Sequence, residues 1–456
     1  MNERDDGLFG ALENDGSGLA PEGGSSAGST TRRPRERRAA RAVDTTPRAE
    51  PPQTDLFGFV PPELPKRAKT TVVANESADS DPAPKPKRPK PAPTSESGDT
   101  PPAPKRRARG VLPAELAQDV LDLGAELPPG VRLGTSSWSF PGWRGLVYGD
   151  DYSNSKLARD GLAAYGAHPL LRSVSIDRSF YAPLTVTDYL RYAQQVPDHF
   201  RFIVKAPALI TDASVRGDRG EPVSANPCFL NPELAAREFV EPCLAGLGAK
   251  AGALVFQFPP LTDQLLADPT TFVERLAAFL AALPPLPAPA ADAAPGDATC
   301  YAVEIRDAIL LTPRFVRMLR AAGVRYCVGL HARMPDPLRQ AAALALMDGE
   351  APAGPLIVRW SLHSGFKYEQ AKARYEPFDK LVDEDPHTRD ALAELAARYV
   401  IAGQPVLITT NNKAEGSAPL TCQKLARAIV DEVQRLRAEA ATDVADIAAS
   451  IDSSAQ

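Results

Sequence analysis

Charged side chains stand near the ends of several β-rich segments of this 456-residue chain. The segment CYAVEIRD carries Glu304 and Arg306, FRFIVKAP carries Lys205, and PLIVRWSLH carries Arg359. A carboxylate at a strand end can act as a general base. Lysine and arginine bind phosphate and carboxylate groups. These residue types together predict a site for an anionic substrate.

Eight segments have strand composition, and helical patterns separate them. The strand segments are VRLGTSSWS (131–139), LRSVSIDRS (171–179), FRFIVKAP (200–207), GALVFQFPP (252–260), CYAVEIRD (300–307), VRYCVGLH (324–331), PLIVRWSLH (355–363) and PVLITTNN (405–412). The helical patterns include residues 157–166, 232–248, 269–283, 312–323 and 388–403. This alternation predicts an α/β fold, a (β/α)8 TIM-type barrel. An open doubly wound sheet is the alternative, although the turn GTSSWSFPGW lacks the G-x-G-x-x-G sequence of dinucleotide sites.

The strand segments have one apolar face and one face that becomes polar toward the carboxyl end. In the second segment Val174 and Ile176 share one face, whereas Ser175 and Asp177 share the other. In a barrel the polar face lines the lumen, and the active sites of this fold lie at its C-terminal mouth. We therefore expect these polar residues to converge there: Asp177, Lys205, Gln257, Glu304, Arg306, Arg359, Asn411 and Glu415.

Three of these residues are candidate catalytic groups. Glu304 or Asp177 could act as a general base, while Lys205 holds a substrate anion or an oxyanion. A Schiff base at Lys205 is an alternative. A purely structural alternative is a set of buried ion pairs in which these charges satisfy one another.

Neither a metal nor a cofactor is assigned from the sequence. Glu304, Asp177, Glu415, His331 and His363 are suitable ligand types, but they show no close-spaced ligand signature. The five cysteines are scattered and form no C-x-x-C pair, which argues against a zinc ribbon and against a disulfide framework.

The composition changes near residue 110. Residues 1–110 are rich in Pro, Ser, Gly, Ala and charge, so we expect a disordered tail, followed by one barrel domain over 111–440 and a short disordered tail over 441–456. The first segment has 19 Lys and Arg against 16 Asp and Glu, which leaves 33 against 41 for the remainder. An acidic barrel does not predict a broad nucleic-acid surface. The chain shows no signal peptide and no apolar stretch of membrane-spanning length, so we expect a cytoplasmic protein with no membrane partner.

Several motifs resemble the YecE-like family, a domain of unknown function numbered seventy-two. The runs GTSSWSFPGWRG, IDRSFYAPL, FRFIVKAPALIT, LVFQFPP, YAVEIRD and NNKAEGSAP occur in the family's order over about residues 131–432. The resemblance implies a TIM-type barrel whose activity is not established. With the strand pattern, it makes these residues candidates for substrate binding: Ser137, Trp138, Ser179, Tyr181, Gln257, Arg306, Arg359, His363, Asn411, Asn412 and Glu415.

The chain departs from the family pattern at several positions, two of which bear on catalysis. The family usually has Glu and Asn where this chain has Ser175 and Asp177. If Ser175 replaces a catalytic carboxylate, the chain is a ligand-binding barrel without activity, which is a second hypothesis beside an enzyme of the hydrolase or lyase class.

The N-terminal segment suggests a third hypothesis. The sequence PQTDLFGFV contains Gln53, Asp55, Leu56 and Phe57. The pattern Q-x-D-L-F resembles the short peptide that docks bacterial DNA-binding proteins onto the replicative sliding clamp. This resemblance implies a DNA-associated protein that is tethered to the clamp through Gln53, Leu56 and Phe57, with the tail's basic clusters as weak phosphate contacts.

Overall fold

The computed structural model describes residues 110–217, 220–288, 298–363 and 366–454, with the side chains of 368 and 443–454 excepted. The predicted N-terminal tail, apart from residue 110, lies outside the described residues. The peptide from Gln53 to Phe57 lies there too.

Eight parallel strands close into a barrel, which confirms the predicted (β/α)8 fold. In chain order the barrel strands are β1 (Val131–Thr135), β2 (Leu171–Ile176), β3 (Arg201–Lys205), β6 (Ala251–Gln257), β7 (Cys300–Glu304), β8 (Arg325–Leu330), β9 (Leu356–Trp360) and β10 (Val406–Thr410). Their order around the barrel is β1-β10-β9-β8-β7-β6-β3-β2, and β2 pairs with β1 to close it.

A two-stranded antiparallel hairpin follows β3, and the sequence analysis did not predict it. It consists of β4 (Ser214–Arg216) and β5 (Pro222–Ala225). Arg216, the last residue of β4, forms an ion pair with Asp212, which precedes the hairpin, with Nε 2.8 Å from Oδ2.

Helices connect the barrel strands. Their bounds are α1 (Gln118–Glu126), α2 (Asn154–Asp160), α3 (Leu162–Gly166), α4 (Val186–Ala193), α5 (Ala208–Thr211), α6 (Pro232–Ala235), α7 (Glu241–Leu247), α8 (Asp263–Leu266), α9 (Pro269–Ala281), α10 (Pro313–Ala321), α11 (Pro337–Asp348), α12 (Tyr368–Tyr375), α13 (Pro386–Ile401), α14 (Asn412–Glu415) and α15 (Ala418–Ser454). Four of them begin with proline after an Asp or Thr whose side chain accepts a backbone hydrogen bond, at Asp268, Thr312, Asp336 and Asp385. Proline at the first helical position and such a capping side chain together fix where a helix starts.

The last helix is longer than the predicted domain. Helix α15 continues to Ser454, through most of the 441–456 stretch that composition assigned to a disordered tail. The sequence AEAATDVADIAAS is rich in alanine, which has the highest helix propensity, and this accounts for the continuation.

Two apolar clusters lie on opposite faces of the strands. The larger cluster lies between strands and helices and includes Val174, Phe202 and Leu254. A smaller cluster fills the lumen with residues of the opposite face: Ile203, Ala253, Val255, Ala302, Cys327, Ile357 and Leu407. The alternation inferred from the sequence is therefore correct. Since the apolar residues fill the lower lumen, the polar strand ends are left at the C-terminal mouth.

Among the residues that the structure describes, no helix is long and apolar enough to cross a membrane.

Candidate functional site

Arg359 is the centre of a buried ion-pair network at the C-terminal mouth. Its Nη2 donates to Oδ1 and Oδ2 of Asp177, at 2.8 and 2.7 Å. Its Nη1 donates to Oε2 of Glu304 at 2.6 Å. Asp177 directly follows β2 and Glu304 is the last residue of β7, so one guanidinium holds carboxylates from two walls of the barrel.

Arg306 approaches the same glutamate from the other side. Its Nη2 lies 2.5 Å from Oε1 of Glu304, an ion pair without hydrogen-bond geometry. Nη2 also donates to Oγ of Ser361 at 3.3 Å. The Nη1 of Arg306 is buried and has no hydrogen-bond partner among the described residues. This Nη1 is therefore an unsatisfied donor at the mouth.

A neighbouring hydroxyl fixes Asp177. The Oγ of Ser175 donates to Oδ1 of Asp177 at 2.5 Å. Ser175 thus orients the carboxylate that Arg359 binds.

Gly329 of β8 makes room for the Glu304–Arg359 contact. Strand β8 lies between β7 and β9, and Gly329 pairs with Arg359 in register. A Cβ at position 329 would lie 3.0 Å from Oε1 and 3.1 Å from Cγ of Glu304. Glycine at this position lets the glutamate reach across β8 to its partner.

Lys205 ends β3 and is the third cation of the site. It is 6% exposed, and its Nζ lies 3.4 Å from the ring centroid of Phe180. Among the described residues, no carboxylate lies within ion-pair distance of Nζ, because Arg306 and Arg359 take the two nearby ones. Ser179 supports the lysine backbone, with its Oγ 2.5 Å from the Lys205 carbonyl oxygen.

Burial and neighbouring charge shift the pKa values of the network in different directions. Burial alone would raise the pKa of Glu304, but Arg306 and Arg359 outweigh it and the pKa falls. Burial would lower the pKa of Arg359, but Asp177 and Glu304 raise it. Burial lowers the pKa of Lys205 to about 7, and the attraction of Asp177 only partly offsets this. The arginines and Glu304 stay charged near neutral pH, whereas Lys205 can gain or lose a proton there.

The histidines near the mouth do not complete a metal site. Burial, reinforced by Arg306, lowers the pKa of His331 to about 4, so its ring is neutral near pH 7. The backbone N–H of His363 donates to the carbonyl oxygen of Lys413, and its ring packs against Phe366. Within the described ranges, no three His, Cys, Asp or Glu residues lie close enough together to hold a metal ion.

The asparagines of the NNKAEG turn have structural contacts. Nδ2 of Asn411 donates to Oγ of Ser136 at 2.7 Å. Oδ1 of Asn412 accepts hydrogen bonds from Nε1 of Trp143 at 3.2 Å and from the backbone of Ala418 at 2.8 Å. These bonds join the end of β10 to the loop after β1 and to the last helix.

Glu415 lies elsewhere than expected. It was predicted to converge with the mouth residues, but its fully buried carboxylate pairs with Arg389 of α13 at 2.5 Å. Its Oε1 also accepts the backbone N–H of Asp385, and its carbonyl oxygen accepts that of Val382. Because α14 turns the chain after β10 ends, strand alternation no longer predicts where this side chain points.

The remaining candidates take varied positions. Trp138 packs against Tyr192 and donates from Nε1 to the Leu157 carbonyl oxygen, so it packs the loop after β1 against helices α4 and α2. Tyr181 is 47% exposed beside Phe180. The carbonyl oxygen of Ser137 accepts a hydrogen bond from Oγ1 of Thr135. Gln257, the last residue of β6, pairs in register with Glu304 of β7.

The structure thus brings Asp177, Glu304, Arg306 and Arg359 into one network with Lys205 beside it. Sequence analysis did not assign a role to Gly329 or to Ser361. The glycine inside the strand segment VRYCVGLH was the available signal, since glycine in a strand interior often marks a close approach.

One family model and several solved structures are similar to this chain. A family model described as a protein of unknown function, DUF72, matches residues 132–445. A DUF72 family protein from Enterococcus faecalis is 16% identical, with coverage of 66% of this chain and 95% of that chain and a TM-score of 0.43. A second, from Thermotoga maritima, is 18% identical, with coverage of 65% and 98% and a TM-score of 0.41.

A further solved structure is described as a methyltransferase from Methanosarcina mazei. It is 11% identical, with coverage of 70% of this chain and 97% of that chain and a TM-score of 0.36. No curated protein matches the chain.

Proposed function

This chain belongs to the DUF72 family, and from the charges at its barrel mouth we propose that it is an enzyme acting on an anionic substrate. The substrate carries a phosphate or a carboxylate group. The observation that supports this proposal is a cluster of three buried cations and two carboxylates at the C-terminal mouth, the end at which enzymes of this fold bind their substrates. The cluster has an excess of positive charge whenever Lys205 is protonated.

The charge balance follows from the contacts. Arg306, Arg359 and a protonated Lys205 bring three positive charges, whereas Asp177 and Glu304 bring two negative charges. All five side chains are less than a tenth exposed, so water screens them weakly. A bound anion would balance the excess.

Arg306 is the group that we expect to contact the anion. Its Nη1 is buried without a hydrogen-bond partner among the described residues, and an unpaired buried donor is unfavourable. The two N–H groups of this Nη1 can donate hydrogen bonds to an oxygen of a phosphate or carboxylate. A ligand oxygen at Nη1 would satisfy the donor while Nη2 keeps its contact with Glu304.

Proton transfer beside the bound anion would then allow hydrolase or lyase chemistry. A general acid or base works best when its pKa lies near the working pH. Lys205, with a pKa of about 7, meets this condition. Glu304 does not, because its ion pairs keep it a weakly basic carboxylate.

A thermal-shift titration of the full chain with inorganic phosphate and with phosphorylated or carboxylated metabolites tests the proposal. We expect stabilisation that Arg306→Gln removes. Arg325→Gln is the matched control, because Arg325 also forms a buried ion pair, with Asp348 at 2.5 Å, but does so at the start of β8. It should lower the starting melting temperature and leave the shift intact. If both variants lost the ligand-induced shift in melting temperature equally, the result would count against an anion site at Arg306.

A ligand-binding barrel without turnover is the second candidate. Both carboxylates of the site are held by arginine. By the sequence resemblance, Ser175 stands where the family usually has glutamate. In that case the anions that stabilise the chain would be recovered unchanged after long incubation, whereas an enzyme would convert at least one of them.

The sliding-clamp peptide is a separate proposal, supported by the sequence Q-x-D-L-F at Gln53–Phe57. Binding to the sliding clamp requires a cytoplasmic location, which we also propose. Leu56→Ala combined with Phe57→Ala should abolish binding of the full chain to purified clamp. Binding by the double variant at wild-type affinity would exclude the peptide as the contact.

A further inference from the structure

We propose that Lys205 forms a carbon–nitrogen double bond with the carbonyl carbon of its substrate, which is an aldehyde or ketone that also carries a phosphate or carboxylate. This inference rests on the proposed function, because the anionic group would be held by Arg306. The inference adds to the proposed function the chemical class of the substrate group that reacts, which is a carbonyl.

The first argument is the environment of the Lys205 amine. A buried lysine is normally paired with a carboxylate, since an unpaired buried charge is unfavourable. Asp177 and Glu304 are instead bound by Arg359 and Arg306. Within the described part of the chain, Nζ has no ion-pair partner that would hold it protonated. It is therefore the side chain of the network whose charge is least fixed.

The second argument is that the lysine is held in place. Phe180 follows β2 and its ring lies under Nζ, 3.4 Å from centroid to nitrogen. Ser179 Oγ lies 2.5 Å from the Lys205 carbonyl oxygen and 2.8 Å from that of Ile176, so it ties the end of β3 to the end of β2. The two ends of the lysine are thus fixed by consecutive residues, and the amine does not have to be ordered when the substrate binds.

The third argument is the supply of neutral amine. A nucleophilic lysine needs a free electron pair, and desolvation beside other cations is a known way to provide one. Burial, with Arg359 and Arg306 nearby, lowers the pKa of Lys205 to about 7. A substantial share of the amine is then neutral at pH 7.

The reaction balances without an external oxidant or reductant. The Nζ electron pair attacks the carbonyl carbon, and the C=O π electrons move to oxygen to give a carbinolamine. The nitrogen electron pair then forms the C=N bond as the C–O bond breaks. The two protons of the neutral amine leave with the oxygen as one molecule of water. Arg306 takes no part in bond formation and holds the anionic group.

Reductive trapping of the full chain tests this proposal. The probe is glyoxylate, the smallest aldehyde that carries a carboxylate, with sodium cyanoborohydride at pH 7 and peptide mapping by mass spectrometry. We expect Lys205 to be carboxymethylated at least about tenfold faster than the exposed Lys380, because a lysine of ordinary pKa is almost fully protonated at pH 7. The labelling rate at Lys205 should rise with a midpoint near pH 7.

Two further measurements separate this inference from the proposed function. Lys205→Arg keeps the charge but cannot form the bond, so it should lose the label and keep phosphate-dependent stabilisation. Labelling of Lys380 at a rate equal to or above that of Lys205 would overturn the inference, even if phosphate still stabilises the chain. Rapid labelling of Lys205 without any stabilisation by anions would support the carbon–nitrogen bond at Lys205 but would overturn both the anion site and the anionic group of the substrate.

Discussion

Arg359 and Asp177 form an ion pair between strands that are not neighbours, in which one nitrogen of the arginine contacts both carboxylate oxygens. Arg359 lies on β9 and Asp177 follows β2, and both β10 and β1 stand between these strands on the shorter path around the barrel. The pair therefore spans the lumen. Through its other terminal nitrogen Arg359 also holds Glu304, so one guanidinium bonds to two buried carboxylates.

The first prediction concerns this double role. Arg359→Met would leave Asp177 buried without its cation and Glu304 with Arg306 alone. Removing one partner of a buried ion pair costs about 3–5 kcal/mol, and we expect the free energy of unfolding to fall by that amount. Urea denaturation followed by circular dichroism measures the change.

Arg144→Met is the control for this variant. Arg144 pairs with Asp151 at 2.6 Å, but the two side chains are 59% and 73% exposed. Exposed pairs contribute about 0–1 kcal/mol, so this variant should unfold close to the wild type. A similar loss in the free energy of unfolding for both variants would show that the buried pair across the lumen stabilises the protein no more than an exposed pair does.

The second prediction tests the glycine beside Glu304. In Gly329→Ala the new Cβ would meet the Glu304 carboxylate at 3.0 Å, so the carboxylate would have to shift slightly and its contacts with the two arginines would be strained. We expect a loss of about 1–3 kcal/mol in stability, as for overpacking in a core, together with weaker stabilisation by phosphate. Urea denaturation and thermal-shift titration give the two values.

Gly130→Ala provides the comparison, because a Cβ at Gly130 has no atom within 4 Å. That variant should keep both the stability and the phosphate response. The interpretation of Gly329 fails if its alanine variant behaves in the same way.

The third prediction is a pH dependence that comes from Lys205. Its pKa falls from 10.5 to about 7 on folding. Between these values the unfolded chain binds the proton and the folded chain does not, so this group makes stability rise with pH. Below pH 7 both states bind the proton and the folded chain bears the full penalty. Lys205→Met removes the titration, so its stability advantage over the wild type should be largest at pH 6.

The measurement is urea denaturation of both proteins at pH 6, 8 and 9.5. The difference between them should shrink by an amount on the order of 3–4 kcal/mol over this range, since each unit of pKa shift corresponds to about 1.4 kcal/mol. The exposed Lys380→Met should track the wild type at every pH. A constant difference between Lys205→Met and the wild type would mean that the buried amine does not titrate on folding.

The sequence was sufficient to predict the barrel and the composition of its mouth. Strand alternation placed Val174 on the helix side, and the polar face of each strand gave Asp177, Glu304, Arg306 and Arg359. This works because side chains alternate strictly while the chain is a strand, and because a closed barrel has one lumen toward which that face can point.

Alternation still placed Asp177 and Arg306, which lie one and two residues past their strands, but it failed for side chains farther along the chain. Glu415 and Trp138 both lie a few residues past a strand, where the turn and not the alternation decides the direction of the side chain. Which arginine binds which carboxylate also depends on distances across the lumen, and a single sequence carries no information on pairs such as Arg359 and Asp177.

The fourth prediction follows from the position of Glu415. Its carboxylate holds the buried Arg389 of α13 and the backbone of Asp385, while its carbonyl oxygen accepts the N–H groups of Val382 and Asp383. These contacts fasten the segment that leads from α12 to α13. Glu415→Gln keeps the size of the side chain but removes the charge that pairs with Arg389. We expect stability to fall by about 3–5 kcal/mol, as for a broken buried pair.

Hydrogen exchange locates the effect. The amide protons of Val382, Asp383 and Asp385 should exchange faster in Glu415→Gln than in the wild type, because local opening of this segment becomes easier. Glu394→Gln breaks an exposed pair with Arg398 on the same helix α13 and should leave those amides unchanged. Faster exchange across the whole barrel to the same degree would instead mean that Glu415 stabilises the fold globally and does not act on this segment in particular.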